Sequence, residues 1–281
     1  MYDGSTRLFF TLGQPASIIR IPRVMAPVFS AIGLNAVWLA MDVAPADLGR
    51  VLDGLRRVGN LGGLTITMPH KQAVLGLADR VSDLARASGA ANLLRFEADG
   101  SITVDVADGI GFVRGLEARG FAPKGRSAFL LGTGGVGSAI AAALCAAGVT
   151  RLVVGEHDDA RAEACLARLA SFYPGVTLER ADRPPSDIDV AINATPCGLK
   201  QTDPLPFDPA ALLPGTFVAE VIMSPPVTRL LASARELGFS TSVGRDMLDH
   251  QISLYLDFFG YAHDPAAVIA ALPREATERG A

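Results

Sequence analysis

Lysine is nearly absent from this chain. Of its 25 basic residues only Lys71, Lys124 and Lys200 are lysines, so arginine serves almost wherever positive charge is needed and each lysine calls for a reason. Cysteine is as sparse: Cys145, Cys165 and Cys197 are an odd number in apolar or small-residue surroundings, which excludes a disulfide framework and favours a reducing compartment. The three cysteines and four histidines show no ligand spacing, so no metal site is expected. Net charge is -4 and no basic run interleaved with aromatics occurs, so nucleic acid is not an expected partner. Long hydrophobic runs are missing too. The longest uncharged apolar stretch, residues 139–149, contains Gly148 and falls far short of the ~20 residues a membrane span requires. The first residues lack a basic region followed by an apolar core and a small-residue cleavage site, so no secretory leader is expected and a cytoplasmic placement is.

What is present is length and core material. The 281 residues suffice for about two domains at roughly 150 residues each, and 49% of them are hydrophobic against 19% charged, which argues against disorder. Short runs rich in β-branched or aromatic residues alternate with stretches of helical period, a βα rhythm. In the first third the pattern predicts strands at 8–13, 36–43 and 63–67, with helices after Pro22 and over 45–58. Helices at 70–78 and 83–87 follow, then a strand pair at 92–97 and 102–106 joined by Asp99-Gly100, a hairpin signal. A helix is predicted at 108–119 and a linker at 120–126. From Ser127 the alternation restarts with strands at 128–131, 152–155, 176–179, 189–193, 217–223 and 240–243. Helices at 136–147, 158–172 and 228–237 separate them, and two C-terminal helices end in a tail, 274–281, expected to fray.

The sharpest motif is Gly132-Thr133-Gly134-Gly135-Val136-Gly137. Its glycines occupy the first, third and sixth positions of G-x-G-x-x-G between a predicted strand and helix, the context that gives this motif its value. The first glycine permits a tight turn, the second lets backbone approach a pyrophosphate, and the third allows close helix packing, with phosphates at the positive helix N-terminus. Glu156 ends the next strand, 24 positions after Gly132, near the ~20-residue offset of the acid that holds the adenosine ribose hydroxyls. A carboxylate there repels a 2'-phosphate, and Gly155-Glu156-His157-Asp158 offers no arginine to welcome one. NAD is therefore favoured over NADP, with Asp158, also a plausible helix cap, as the competing acid.

Beside this motif, several ordered segments resemble the shikimate/quinate dehydrogenase family over nearly the whole chain. Thr65-Ile66-Thr67-Met68-Pro69-His70-Lys71 is similar to N-V-T-x-P-x-K, with Thr65 for Asn. Gly89-Ala90-Ala91-Asn92-Leu93 is similar to G-A-x-N-T, with Leu93 for Thr, and Val106-Ala107-Asp108-Gly109-Ile110-Gly111-Phe112 to N-T-D-G-x-G-F. Asn193-Ala194-Thr195-Pro196-Cys197-Gly198-Leu199 looks like N-A-T-P-x-G-M, and Gly244-Arg245-Asp246-Met247-Leu248-Asp249-His250-Gln251 like G-x-x-M-L-x-x-Q. The resemblance implies an α/β chain of two domains: an N-terminal α/β substrate domain, 1–107 joined by C-terminal helices 246–273, and a Rossmann dinucleotide-binding domain, 108–245. It implies reversible hydride transfer between a nicotinamide and a ring hydroxyl or ketone, on a small cyclic alcohol or ketone, by a monomer or homodimer. Lys71 and Asp108 match the catalytic pair, and Thr67, Asn92 and Gln251 the substrate hydrogen-bonders. The loop Gly132, Thr133, Gly134, Gly135, Val136 and Gly137, together with Asn193, Thr195, Val221 and Gly244, matches cofactor contacts.

The chemistry explains the residue types. A carbonyl oxygen that gains negative charge as hydride arrives must receive a proton, and oxidation runs this backwards. Lysine can give and retrieve that proton, whereas arginine stays protonated throughout. Asp108 would orient the ammonium, and could also cap the helix it opens.

The pattern breaks at the substrate loop. The family's motif reads approximately G-x-P-x-x-H-S-x-S-P, with two serines on the shikimate carboxylate, while this chain has Gly13-Gln14-Pro15-Ala16-Ser17-Ile18-Ile19-Arg20-Ile21-Pro22. Ile19 and Ile21 stand at the serine positions, and losing hydrogen bonds to a charged group costs ~1.5–3 kcal/mol each. Glu220-Val221-Ile222-Met223-Ser224-Pro225 resembles D-V-x-Y-x-P, with Met223 for a substrate-facing Tyr. Both changes make the pocket more apolar, so a substrate other than shikimate is expected, with an apolar group or a differently placed anion; Arg20 or Arg23 could meet that anion, but each reads first as a solvated surface arginine. Rival chemistries lack their residues: no tyrosine is followed four positions on by lysine, and no lysine follows a glycine as a phosphate loop requires. A dinucleotide-binding regulator without turnover is the alternative of a different class.

Overall fold

The computed structural model describes residues 2–273; the predicted frayed tail lies outside them. The described chain divides into two units, one within Met1–Ala85, Ala90–Ala107 and Ile252–Ala281, the other Arg86–Gly89 and Asp108–Gln251.

The first unit holds β1 (Arg7–Gly13), α1 (Ile21–Ala31), β2 (Ala36–Asp42), α2 (Leu48–Leu55), β3 (Leu61–Ile66), β4 (Arg80–Val81), β5 (Leu93–Phe96) and β6 (Ile102–Asp105). The short helix α3 (Asp83–Ser88) straddles the boundary between the units. The sheet runs β2-β1-β3-β5-β6-β4. Strand β1 pairs in parallel with β2 and β3, and β5 runs antiparallel to β3 and β6. Its core is aromatic. Phe9 stacks on Trp38 at 5.1 Å between centroids and meets Phe29 at 5.2 Å. Late in the chain, α9 (Ile252–Phe259) and α10 (Pro265–Ala271) return here. A Cβ at Gly63 would lie 2.3 Å from the Phe259 ring, so glycine in β3 makes room for α9.

The second unit holds α4 (Asp108–Ala118), β7 (Ser127–Leu131), α5 (Gly135–Ala146), β8 (Arg151–Gly155), α6 (Asp159–Phe172), β9 (Thr177–Arg180), β10 (Val190–Asn193), β11 (Phe217–Glu220), α7 (Arg229–Glu236), β12 (Thr241–Ser242) and α8 (Gly244–Asp249). All neighbours in the sheet β12-β11-β10-β7-β8-β9 are parallel. Strands buried on both faces explain the unbroken apolar runs 128–131 and 190–192. The chain steps outward from β7 to β9 and then crosses back to β10, the topological switch point of a doubly wound fold.

Three expectations change. The predicted helix at 70–78 is a 3-10 turn, Ala73–Leu77, because the apolar side chains there supply only one buried residue, Val74, too little to hold a longer helix. The C-terminal part has three helices rather than two. The expected return to the first unit at 246 falls later, because α8 packs on α4 of the second unit. There, a Cβ at Gly111 would lie 2.4 Å from Gln251 Cγ, and one at Gly115 3.1 Å from Asp246. Arg119 donates twice to the Asp246 carboxylate, at 2.9 and 2.8 Å.

Candidate active site

In the first unit, parallel pairing brings the C-terminal ends of β1, β2 and β3 level, with Gly13 opposite Asp42 and Leu12 opposite Ile66. The loops that follow are laced together. Asp42 accepts from Gln14 Nε2 at 3.0 Å and from the Ala16 amide at 2.8 Å. Gln14 N donates to Met68 O and Thr67 N to Leu12 O. His70 is buried, its Nε2 2.8 Å from Val43 O, and Lys71 follows it, half-buried, its own carbonyl accepting the Ala91 amide at 2.8 Å. Neither Asp42 nor His70 stood out in the sequence, since the partners that give them meaning come from other strands.

Two substrate candidates lie in this framework. A Cβ at Gly13 would fall 2.3 Å from Thr67 Cγ2 and 3.3 Å from Ile19 Cδ1, so Ile19 and Thr67 flank the same bare backbone. Asn92 is buried, and its Oδ1 accepts the Ala107 amide at 2.7 Å. The isoleucines part company: Ile19 is half-exposed, whereas Ile21 opens α1 and is 8% exposed, a core position. Ile18 and Met68, near Ile19 in the chain or in the facing loop, are exposed. Arg20 and Arg23 are exposed at the start of α1. Thr65, at the resemblance's Asn position, is buried and shares a 2.7 Å hydrogen bond with Thr11, which accepts from the Trp38 indole.

In the second unit, Asp108 opens α4 and is buried. Gln251 is 2% exposed and lies against Gly111; Met223 is half-exposed. The glycine loop has the shape a dinucleotide needs. Gly132 has φ +95°, open to glycine at no steric cost. A Cβ at Gly137 would lie 2.0 Å from Gly132 O, so only glycine lets the helix start close under the turn, while Gly134 faces open space. No side chain caps α5 at Gly134, so the first amides of this helix of 12 residues remain available to an anion. The turn at 193–198 closes on the loop: a Cβ at Gly132 would meet Thr195 Cγ2 at 2.8 Å. Buried Asn193 shapes that turn, accepting from Thr195 N and Oγ1 and donating to Cys197 O at 3.0 Å. Gly244 sits with its Cα against the backbone of Val221 and Ile222.

Glu156 is more occupied than its position in the sequence suggests. Its Oε2 accepts from Thr133 N and Oγ1, both at 2.9 Å, and its Oε1 from Asp158 N at 3.2 Å. Burial alone would push its carboxyl up, but these donors and Arg161 outweigh it and hold the group below the usual carboxylate range. The segment 155–158 itself carries no arginine, but two reach Glu156 from outside it. Arg161 Nη1 lies 3.7 Å from Glu156 Oε2 and Arg180 donates to Glu156 O at 3.0 Å, reaching it from the next helix and strand. The cysteines are free thiols, and burial pushes Cys145 up to about 12. Among the described residues no group of three His, Cys, Asp or Glu could hold a metal, and no helix is long and apolar enough to cross a membrane.

Comparison with known proteins agrees with this build. Residues 11–94 match the shikimate dehydrogenase substrate binding domain. The NADP(+) shikimate dehydrogenase of Rubrobacter xylanophilus is 36% identical over 253 residues, 89% of each chain. Quinate dehydrogenase from Corynebacterium glutamicum, solved with NAD, superimposes with a TM-score of 0.85 at 32% identity, covering 95% of this chain and 98% of that one. The 5-ketofructose reductase of Gluconobacter sp. strain CHM43 gives 0.85 at 28% identity, covering 95% and 97%. A glycine-loop unit of this order, in a chain with these relatives, is that of an NAD(P)-dependent oxidoreductase. The chain belongs to the shikimate dehydrogenase family. A regulator without turnover finds no support among these relatives.

Proposed function

We propose that this oxidoreductase prefers NAD and acts on a ring hydroxyl or ketone of a substrate other than shikimate, one without a carboxylate at the Ile19 wall. The observation that carries this reading is Ile19 Cδ1, set 3.3 Å from a Cβ built on Gly13, beside Thr67. An alkyl group stands there in place of a hydroxyl donor, so a carboxylate would be desolvated without a partner. That the fold also serves an enzyme named for a keto sugar, 5-ketofructose reductase, supports a substrate without shikimate's acid.

The nicotinamide, when bound, supplies or takes up the hydride. Lys71 donates the proton to the carbonyl oxygen during reduction and retrieves it during oxidation. By the motifs they match, Asp108 accepts from the substrate hydroxyl, and Thr67, Asn92 and Gln251 are assigned to hydrogen bonds with the ring. The loop 132–137, the turn with Asn193 and Thr195, and the backbone at Val221 and Gly244 hold the dinucleotide. Steady-state assays with shikimate, quinate and a panel of neutral cyclic alcohols and ketones, followed by NADH absorbance with NAD and NADP in parallel, test the reading. An ordinary specificity constant for shikimate or quinate overturns it.

A further inference from the structure

Glu220 is the last residue of β11, opposite Asn193 in the parallel register, and it is wholly buried. Its Oε2 accepts from Thr228 Oγ1 at 2.9 Å, and its Oε1 has no hydrogen-bond partner among the described residues. An orphaned carboxylate oxygen in a sealed site is costly to charge. The groups that bear on it are Asn193 on β10, Thr228 at the N-cap of α7, and Arg235 on α7. On the other side, Ser242 of β12 is turned to Asp246 at 3.0 Å. Burial pushes the carboxyl up to about 7, against the pull of Thr228, Asn193 and Arg235 toward the anion.

We propose that Glu220 is a positioning residue for the cofactor turn at 193–198, and that its protonation state sets how tightly the dinucleotide is held. The inference rests on the reading of that turn as a cofactor contact. The neutral acid leaves the cluster uncharged, and Asn193 stays committed to Thr195 and Cys197. The anion needs donors. Turning Asn193 toward it draws the amide from Cys197 O, whereas Thr228 already donates to Oε2 while accepting from Leu231 N and has no second proton to offer. The new charge also stands opposite Asn193, the first residue of a turn read as holding a negatively charged dinucleotide. Both effects weaken binding as pH rises.

The test is the NADH dissociation constant by fluorescence titration from pH 5.5 to 9, with thermal unfolding across the same range. The wild type is expected to lose affinity by roughly 3- to 10-fold through pH 7, a linkage of a half to one pH unit. Glu220→Gln, neutral and of the same shape, is expected to stay at the tight limit throughout. Thr228→Val removes a donor that favours the anion and shifts the step to higher pH, which keeps the proposal testable if the glutamine variant fails to fold. The stability sign is fixed. A carboxyl raised in the folded state costs nothing below its ordinary value of 4.5 and destabilises increasingly as pH rises toward 7, so the midpoint gap between Glu220→Gln and wild type opens over that window. A flat wild-type profile, or a step retained in Glu220→Gln, overturns the proposal. So does a step lost in His157→Gln, whose imidazole lies 2.9 Å from Glu156. Because these readouts need no turnover, an inactive Lys71 variant with the step intact separates this inference from the catalytic assignment.

Discussion

The two units treat the same family pattern differently. In the second, the glycine loop is held by backbone: a side chain at 137 would press on Gly132 O and one at 132 on Thr195 and Ala194. In the first, the substrate loop is anchored through Asp42 and main-chain bonds, while the wall it presents at Ile19 is a half-exposed side chain. Where function depends on backbone approach, substitution is barred by clashes of 2.0–2.8 Å. Where it depends on a side chain displayed from a pinned loop, the residue can change and the loop survives. The difference teaches that the cofactor half is constrained by backbone geometry, and the substrate half can be retuned without rebuilding it.

The largest effect expected separates chemistry from binding. Lys71→Ala should lower kcat by ~10²–10⁴-fold, the range of general acid-base catalysis, while NADH affinity stays within twofold; stopped-flow turnover and fluorescence titration read the two. Loss of NADH binding together with kcat would break the division of labour. Gly137→Ala should do the opposite. Its methyl would sit 2.0 Å from Gly132 O, so dinucleotide affinity should fall by about 100-fold, equivalent to ~2.7 kcal/mol, and unchanged affinity by calorimetry would show the loop to be pliable. Next comes the substrate wall. Ile19→Ser should raise the specificity constant for shikimate by about 10- to 150-fold, a recovered hydrogen bond to a charged group. Ile21→Ser should instead lower the unfolding midpoint, since Ile21 is a core residue of α1. A shikimate gain from Ile21→Ser alone would reverse the roles of the pair.

Those two isoleucines show where the sequence was legible and where it stopped. The βα rhythm and the glycine loop could be read because buried parallel strands and tight turns constrain consecutive residues. Two identical side chains at 19 and 21 looked equivalent, and only α1's docking separates a wall from a core position. Asp42, His70 and Glu220 went unread for the same reason: their partners, Ala16, Val43 and Thr228, are set by the tertiary fold. The predicted helix at 70–78 failed because local period alone did not reveal how little of it is buried. Arg161 and Arg180 were missed because they belong to α6 and β9, beyond the stretch around Glu156 in which a phosphate partner is sought.

Those arginines bear on the smallest effect, the choice between NAD and NADP. Both are already engaged with acids: Arg161 with Glu156 and Asp158, Arg180 with Asp159 and the Glu156 carbonyl. Three carboxylates against two guanidiniums leave the end of β8 negative, so a 2'-phosphate meets no spare cation, and NAD should be preferred by about 10-fold, or ~1.4 kcal/mol. Glu156 is too committed to Thr133 to be altered without disturbing the loop, which makes Asp158 the cleaner probe. Its Oδ1 caps α6 by accepting Arg161 N at 3.0 Å, a task serine performs comparably. Asp158→Ser should therefore keep the helix, release Arg161 and raise the NADP to NAD ratio of specificity constants by roughly 3- to 10-fold. Asp158 and Arg161 are partly solvent-exposed, so salt should screen the change, and the ratio should fall back toward wild type as ionic strength rises from 0.01 to 1 M, where the Debye length contracts from ~30 to ~3 Å. A wild-type preference for NADP, or a ratio that ignores both the substitution and the salt, would place the discrimination elsewhere than in the charge at the end of β8.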